Sequence, residues 1–133
     1  MNNLNKDILL GIAIGDDLGV PVEFEHRQEL EKNPVVGMRE YGTHNQPKGT
    51  WSDDSSLALC LAESLCNGYN LNDIADKFIR WYYDGYCTPY GRVFDVGVTT
   101  ARAISYLQSG CKPELAGMDR ERDNGNGSLM RIL

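Results

Sequence analysis

Gly49-Thr50-Trp51-Ser52-Asp53-Asp54-Ser55-Ser56 sets hydroxyls and two carboxylates in one line, just before the apolar run Leu57-Ala58-Leu59-Cys60-Leu61-Ala62. Mg²⁺, Mn²⁺ and Ca²⁺ take such oxygen donors. Adjacent residues inside a helix point about 100° apart and rarely share an ion, whereas at a loop-to-helix junction the backbone can turn Ser52, Asp53 and Asp54 inward together. Spacing alone favours the simpler reading, in which Ser52 or Asp53 caps a helix and the acids complement its dipole. Half of a hard-metal site is the alternative.

Three further clusters carry chemistry. In Asp16-Asp17-Leu18-Gly19-Val20-Pro21-Val22-Glu23-Phe24-Glu25, Glu23 lies between apolar neighbours. That setting raises a carboxyl pKa for acid–base work; a solvated loop acid is the plainer alternative. Asp95, in Val93-Phe94-Asp95-Val96-Gly97-Val98, is a pocket acid or a helix cap. Arg122-Asp123-Asn124-Gly125-Asn126-Gly127-Ser128 is a glycine-rich turn before a helical pattern, able to offer backbone N–H groups to phosphate. His26 and His44 have no partner at ligand spacing and read as surface residues.

Helices must position these groups. Leu4, Ile8, Leu9, Ile12 and Ala13 follow helical spacing over residues 4–18. Gly11, Gly15 and Gly19, four apart, predict close backbone packing or a helix end. Residues 20–50 read as irregular, with a short helical turn over 28–32, and a loop of that length is more often functional than incidental. A helix over 53–67 buries Leu57, Cys60, Leu61, Ser64 and Leu65 and ends at Asn67-Gly68. The next, over 71–84, is capped by Asn70 or Asn72 and shows 3–4 spacing from Leu71 to Tyr82. Another runs from Thr99 to Gln108, Pro113 opens a short turn, and Ser128 reads as an N-cap. No alternating strand is evident, so the expected fold is all-α.

The chain has 133 residues, 41% apolar and 24% charged, enough for one modest domain. Its net charge of −6 argues against nucleic-acid binding. No apolar run approaches the roughly 20 residues of a membrane span. The polar N-terminus lacks the pattern of a signal peptide. Cys60, Cys66, Cys87 and Cys111 form no CxxC and read as free thiols in a reducing cytoplasm.

Taken in order, Gly15-Asp16-Asp17-Leu18-Gly19-Val20-Pro21-Val22-Glu23-Phe24, Gly49-Thr50-Trp51-Ser52-Asp53-Asp54-Ser55-Ser56, Phe94-Asp95-Val96-Gly97 and Asn126-Gly127-Ser128-Leu129-Met130-Arg131 resemble the N-terminal part of the ADP-ribosylglycohydrolase family. The resemblance covers nearly the whole chain. It implies an orthogonal all-α helix bundle holding two Mg²⁺ or Mn²⁺ ions, and cleavage of the glycosidic bond between ADP-ribose and a protein side chain or small acceptor. By this resemblance Ser52, Asp53 and Asp54 are metal ligands, with Ser52 in place of the commoner threonine. Glu23 matches the glutamate near the scissile bond and Asp95 a pocket acid acting on the ribose. Asn126, Gly127 and Ser128 match a loop lining the ADP-ribose cleft.

Asp17 stands where alanine is usual, and Val98 where some members carry a polar residue. The family completes its metal site with a downstream Asp-x-Asp-Thr/Ser motif, which these 133 residues do not contain. The expectation is therefore the N-terminal portion of a single domain, residues 1–133, truncated within its last helix, weak or inactive alone and exposing apolar faces. A non-catalytic ADP-ribose or nucleotide-binding module, or a half-enzyme completed by another chain, is the alternative.

Overall fold

The computed structural model describes residues 3–123 and 125–131, with only the backbone of 3, 126, 130 and 131. Five helices run in order: α1 (Asn3–Gly19), α2 (Arg27–Lys32), α3 (Asp53–Leu65), α4 (Leu71–Asp84) and α5 (Val98–Gln108). Short 3₁₀ turns occupy Val20–Val22, Pro113–Leu115 and Asn126–Arg131. Among the described residues no strand forms; Tyr41 and Gln46 make an isolated antiparallel bridge.

α3 is the central helix. It packs against α1, α4 and the 126–131 turn, and α4 packs in turn on α5. Small side chains allow this. Ser55, Ser56, Ala58, Cys60 and Ser64 are buried beside Leu57, leaving room for neighbours to approach on several sides. Their hydroxyls are satisfied locally: Ser56 Oγ donates to the Ser52 carbonyl at 2.8 Å, and Ser64 donates to Asp73 on α4. The core joins Leu57, Cys60, Trp81 and Ile104, with Phe78, Ile79 and Tyr82 packed around them. The stripe expected on α3 holds at Leu57, Cys60 and Ser64 but not at Leu65, which is exposed.

Capping fixes the helix ends. Ser52 is the N-cap of α3 and accepts from the Asp54 N–H. Asn70 accepts from the N–H groups of Asn72 and Asp73 at the start of α4. At its far end Gly85 is left-handed (φ 69°), donating to Trp81 while Tyr86 donates to Arg80. A Cβ on Gly85 would lie 2.4 Å from the Gly91 carbonyl oxygen, so glycine is required there by space as well as by conformation.

Three expectations are corrected. Ser128 lies inside the Asn126–Arg131 turn rather than capping a helix. Asp95 does not cap α5: Gly97 holds that position with no side-chain cap bond. Of the two readings of the glycine steps, close packing fails, since a Cβ at Gly11, Gly15 or Gly19 meets nothing within 4 Å among the described residues, while the helix end is found at Gly19. Their bare backbone instead borders a cavity.

Candidate active site

The Ser52–Ser55 junction is held by α1. One oxygen of Asp16, Oδ2, accepts from Ser52 N–H at 2.9 Å, Ser55 N–H at 3.0 Å and Ser55 Oγ at 2.6 Å. The first turn of a helix has unpaired N–H groups and a positive dipole end, so a carboxylate there is doubly favoured. Thr50, buried, donates to the Pro47 carbonyl at 2.6 Å and fixes the approach of the loop. Asp16 thereby sets where Ser52, Asp53 and Asp54 stand. The sequence placed Asp16 in an acidic cluster without assigning it this task.

Opposite lies a second group. Glu23 Oε2 is 2.5 Å from His44 Nε2, and Asp95 Oδ2 is 3.8 Å from the same nitrogen. His44 is therefore not the surface residue that spacing suggested; its side chain is only 15% exposed. His26, by contrast, is exposed. The Glu23 carboxyl is held above its ordinary range, first by burial and then by the neighbouring Asp95 carboxyl, with His44 opposing. Both Phe24 (φ 62°) and Asp95 (φ 54°) adopt the left-handed region, uncommon for such residues. Strain of this kind collects at functional sites.

The two groups face one cavity of about 510 Å³, within the size range of small-ligand sites. Its wall combines the glycine face of α1 and Asp16 with Val20, Val22 and Glu23, then Ser52, Asp54 and Asp95. Four of the sequence-selected residues thus meet: Glu23, Ser52, Asp54 and Asp95. Asp53 lines a separate small crevice with Trp51, Ser56, Trp81 and Phe94. Gly127, half-buried, and Ser128, exposed, belong to the turn packed on α3 and are not part of this cavity wall. The Asn126 side chain lies outside the described residues.

Two donor sets have the chemistry to hold a cation. The Ser52 hydroxyl and Asp54 carboxylate are hard oxygen donors of the kind Mg²⁺ and Mn²⁺ take. Glu23, His44 and Asp95 offer ligand atoms within 4.8 Å of one another, a mixed nitrogen–oxygen set.

Comparison with known proteins agrees with this architecture. The family model for ADP-ribosylglycohydrolase matches residues 5–133. An ADP-ribosylarginine hydrolase Tri1 of Serratia proteamaculans is 42% identical over 122 residues, covering 84% of this chain and 32% of the relative. An ADP-ribosyl-[dinitrogen reductase] glycohydrolase of Rhodospirillum rubrum is 32% identical over 136 residues, covering 93% and 40%. A solved structure titled ADP-ribosylglycohydrolase-related protein complex aligns with a TM-score of 0.66 at 37% identity, covering 94% of this chain and 38% of that one. The chain thus spans about a third to two-fifths of the length of these relatives. With matching motifs, fold and family model, the chain belongs to the ADP-ribosylglycohydrolase family.

Proposed function

We propose that this chain supplies the N-terminal portion of an ADP-ribosylglycohydrolase domain, hydrolysing the glycosidic bond between ADP-ribose and a protein side chain. Named relatives acting on ADP-ribosylarginine and ADP-ribosyl-dinitrogen reductase support a protein-linked substrate. The carrying observation is the shared cavity, where a carboxyl pair, Glu23 and Asp95, faces Ser52 and Asp54.

In this reading Ser52 and Asp54 on the cavity wall, with Asp53 next to them in the chain, would hold Mg²⁺ or Mn²⁺, which would supply concentrated positive charge. Glu23, whose raised pKa makes its ionised form a stronger base, takes the proton of the attacking water on its carboxylate. Asp95, on the same cavity wall, would offset the positive charge that develops at the anomeric carbon. The bare glycine face of α1 leaves width for a sugar beside the carboxylates. The Asn126-Gly127-Ser128 turn, packed on α3, is assigned to the nucleotide side of the cleft.

A chimera tests this assignment. Residues 5–133 replace the matching segment of the Serratia hydrolase, and release of ADP-ribose from a modified-arginine protein is followed. Asp53→Ala with Asp54→Ala is expected to lower turnover by about 100-fold or more. Turnover at the level of the unmutated chimera would show that these carboxylates have no part in the reaction.

A further inference from the structure

Two thiols meet where α3 passes the loop that follows α4. Cys60 is fully buried in the core with Leu57, Trp81 and Ile104, and Cys87, half-buried, packs against that core. Neighbouring contacts hold the two in register. Glu63 follows Cys60 by one helical step and shares its face of α3. Tyr86, next to Cys87 in the chain, donates its hydroxyl to the Glu63 carboxylate, 2.9 Å from Oε1 and 2.8 Å from Oε2. Arg80 lies over the Tyr86 ring, 3.9 Å from its centroid. On the other side the Cys87 carbonyl accepts from Trp51 Nε1 at 3.3 Å. The loop itself is tight. Thr88 donates to the Gly85 carbonyl through its N–H at 3.3 Å and its Oγ at 2.5 Å, and Cys87 takes a left-handed conformation (φ 56°). In a residue other than glycine that conformation persists only where the surroundings hold it.

We propose that Cys60 and Cys87 are a redox pair: hydrogen peroxide oxidises them to a disulfide that ties the 85–91 loop to the middle of α3. Neither thiol lines the cavity of the candidate active site, so the pair stands apart from the reading of that site.

Exposure assigns the order of events. Cys87 is the thiol that a small oxidant reaches, and Cys60, sealed in the core, resolves. Burial raises both thiols above the ordinary cysteine range; against it, the hydrogen bond from Cys60 favours the Cys87 thiolate. The Cys87 sulfur attacks one peroxide oxygen. An S–O bond forms, the O–O bond breaks, and the leaving hydroxide departs as water with the thiol proton. The Cys60 sulfur then attacks the Cys87 sulfur. The S–S bond forms as the S–O bond breaks, and the second hydroxide departs as water with the Cys60 proton. The two thiols lose two electrons and the peroxide gains them. In reducing surroundings such a bond is transient, which suits sensing rather than stapling. Its mechanical reach runs through Trp51: the loop that the disulfide fastens is the one whose carbonyl holds this side chain, one residue before Ser52.

The test uses the 133-residue chain without substrate or metal. The chain is treated with hydrogen peroxide in native buffer and, separately, in concentrated urea. Free thiols are then blocked, and the unreduced digest is mapped by mass spectrometry. In native buffer the dominant cross-link is expected to join the Cys60 and Cys87 peptides, with the loss of two hydrogens and full reversal by dithiothreitol. In urea, links among all four cysteines are expected. Cys60→Ser should leave Cys87 as a sulfenic acid that dimedone traps, and Cys87→Ser should leave Cys60 a free thiol. Absence of the Cys60–Cys87 link in native buffer overturns the proposal, whether the thiols stay reduced, oxidise further or pair with Cys66 or Cys111. So does the same mixture of links in native buffer as in urea, which is the chance pairing of an unfolded chain. Both of these outcomes are read on the wild type, so the decision does not depend on either variant folding.

Discussion

Asp16 and His44 each bind residues distant in the chain, and neither announces itself by spacing. Asp16 lies 36 and 39 positions before the amides it anchors, and His44 21 positions after Glu23. Such pairs become visible only when the loop over 20–50 is folded. The acids themselves were legible: the neighbours of Glu23 allowed a raised carboxyl or a plain loop acid, and the carboxyl is raised, by burial first and then by Asp95, although Phe24 turns outward. Removing Asp16 frees two first-turn amides at once, so Asp16→Ala is expected to destabilise the fold by about 2 kcal/mol in urea melts. Glu23 predicts a pH signature. A carboxyl whose folded pKa exceeds its ordinary 4.5 binds more protons folded than unfolded, so stability falls as pH rises from that value through the raised one. Glu23→Gln removes this loss. Its melting temperature relative to wild type should therefore increase between pH 4 and pH 7, measured by calorimetry; a flat difference contradicts the assignment.

At the scale of elements, the helices foreseen from periodicity and capping up to residue 108 are present, with ends within a few residues, whereas the helix expected to start at Ser128 is a 3₁₀ turn in which Ser128 is interior. Periodicity of 3.6 and cap residues are local signals, and Asn70, Gly85 and Ser52 act locally. What periodicity missed is which face matters most. Trp81, fully buried at the centre of the core, was not singled out on α4, because Tyr82 and Tyr83 beside it blur the apolar stripe. The glycine steps on α1 were read as contact or a helix end; Gly19 is that end, but no contact is made, since a missing side chain does not say what stands opposite. Trp81 gives a clean test. Its Nε1 finds no hydrogen-bond partner among the described residues, so phenylalanine sacrifices volume but no bond. Trp81→Ala should cost about 3–5 kcal/mol and Trp81→Phe less than half of that, from denaturant midpoints.

The molecule as a whole places the proposed catalytic acids and two of the proposed metal donors on one cavity, yet only part of what a divalent ion needs lies on that wall. Mg²⁺ dehydrates reluctantly and takes near-octahedral oxygen ligation. The cavity offers it the Ser52 hydroxyl and the Asp54 carboxylate, while Asp53 lines the neighbouring crevice beside Trp81. Two or three protein donors leave water to fill the remaining positions, and water already surrounds the ion in solution, so little free energy is gained. α1 shows the same incompleteness, with Leu4, Ile8, Leu10 and Ile14 all exposed. Apolar surface of this extent normally lies against a partner element. The 133-residue chain is accordingly expected to bind Mn²⁺ or Mg²⁺ with a Kd of about 1 mM or weaker, by calorimetry or Mn²⁺ electron paramagnetic resonance. Asp54→Asn should weaken that binding further, while Asp73→Asn, on the far helix, should leave it unchanged. In the Serratia chimera, where the downstream part of the relative is expected to add donors, the same measurement should give tighter binding that Asp54→Asn reduces. Micromolar affinity in the isolated chain would mean that Ser52, Asp53 and Asp54 turn together more fully than the cavity indicates. Equal affinity in chain and chimera would place the metal elsewhere.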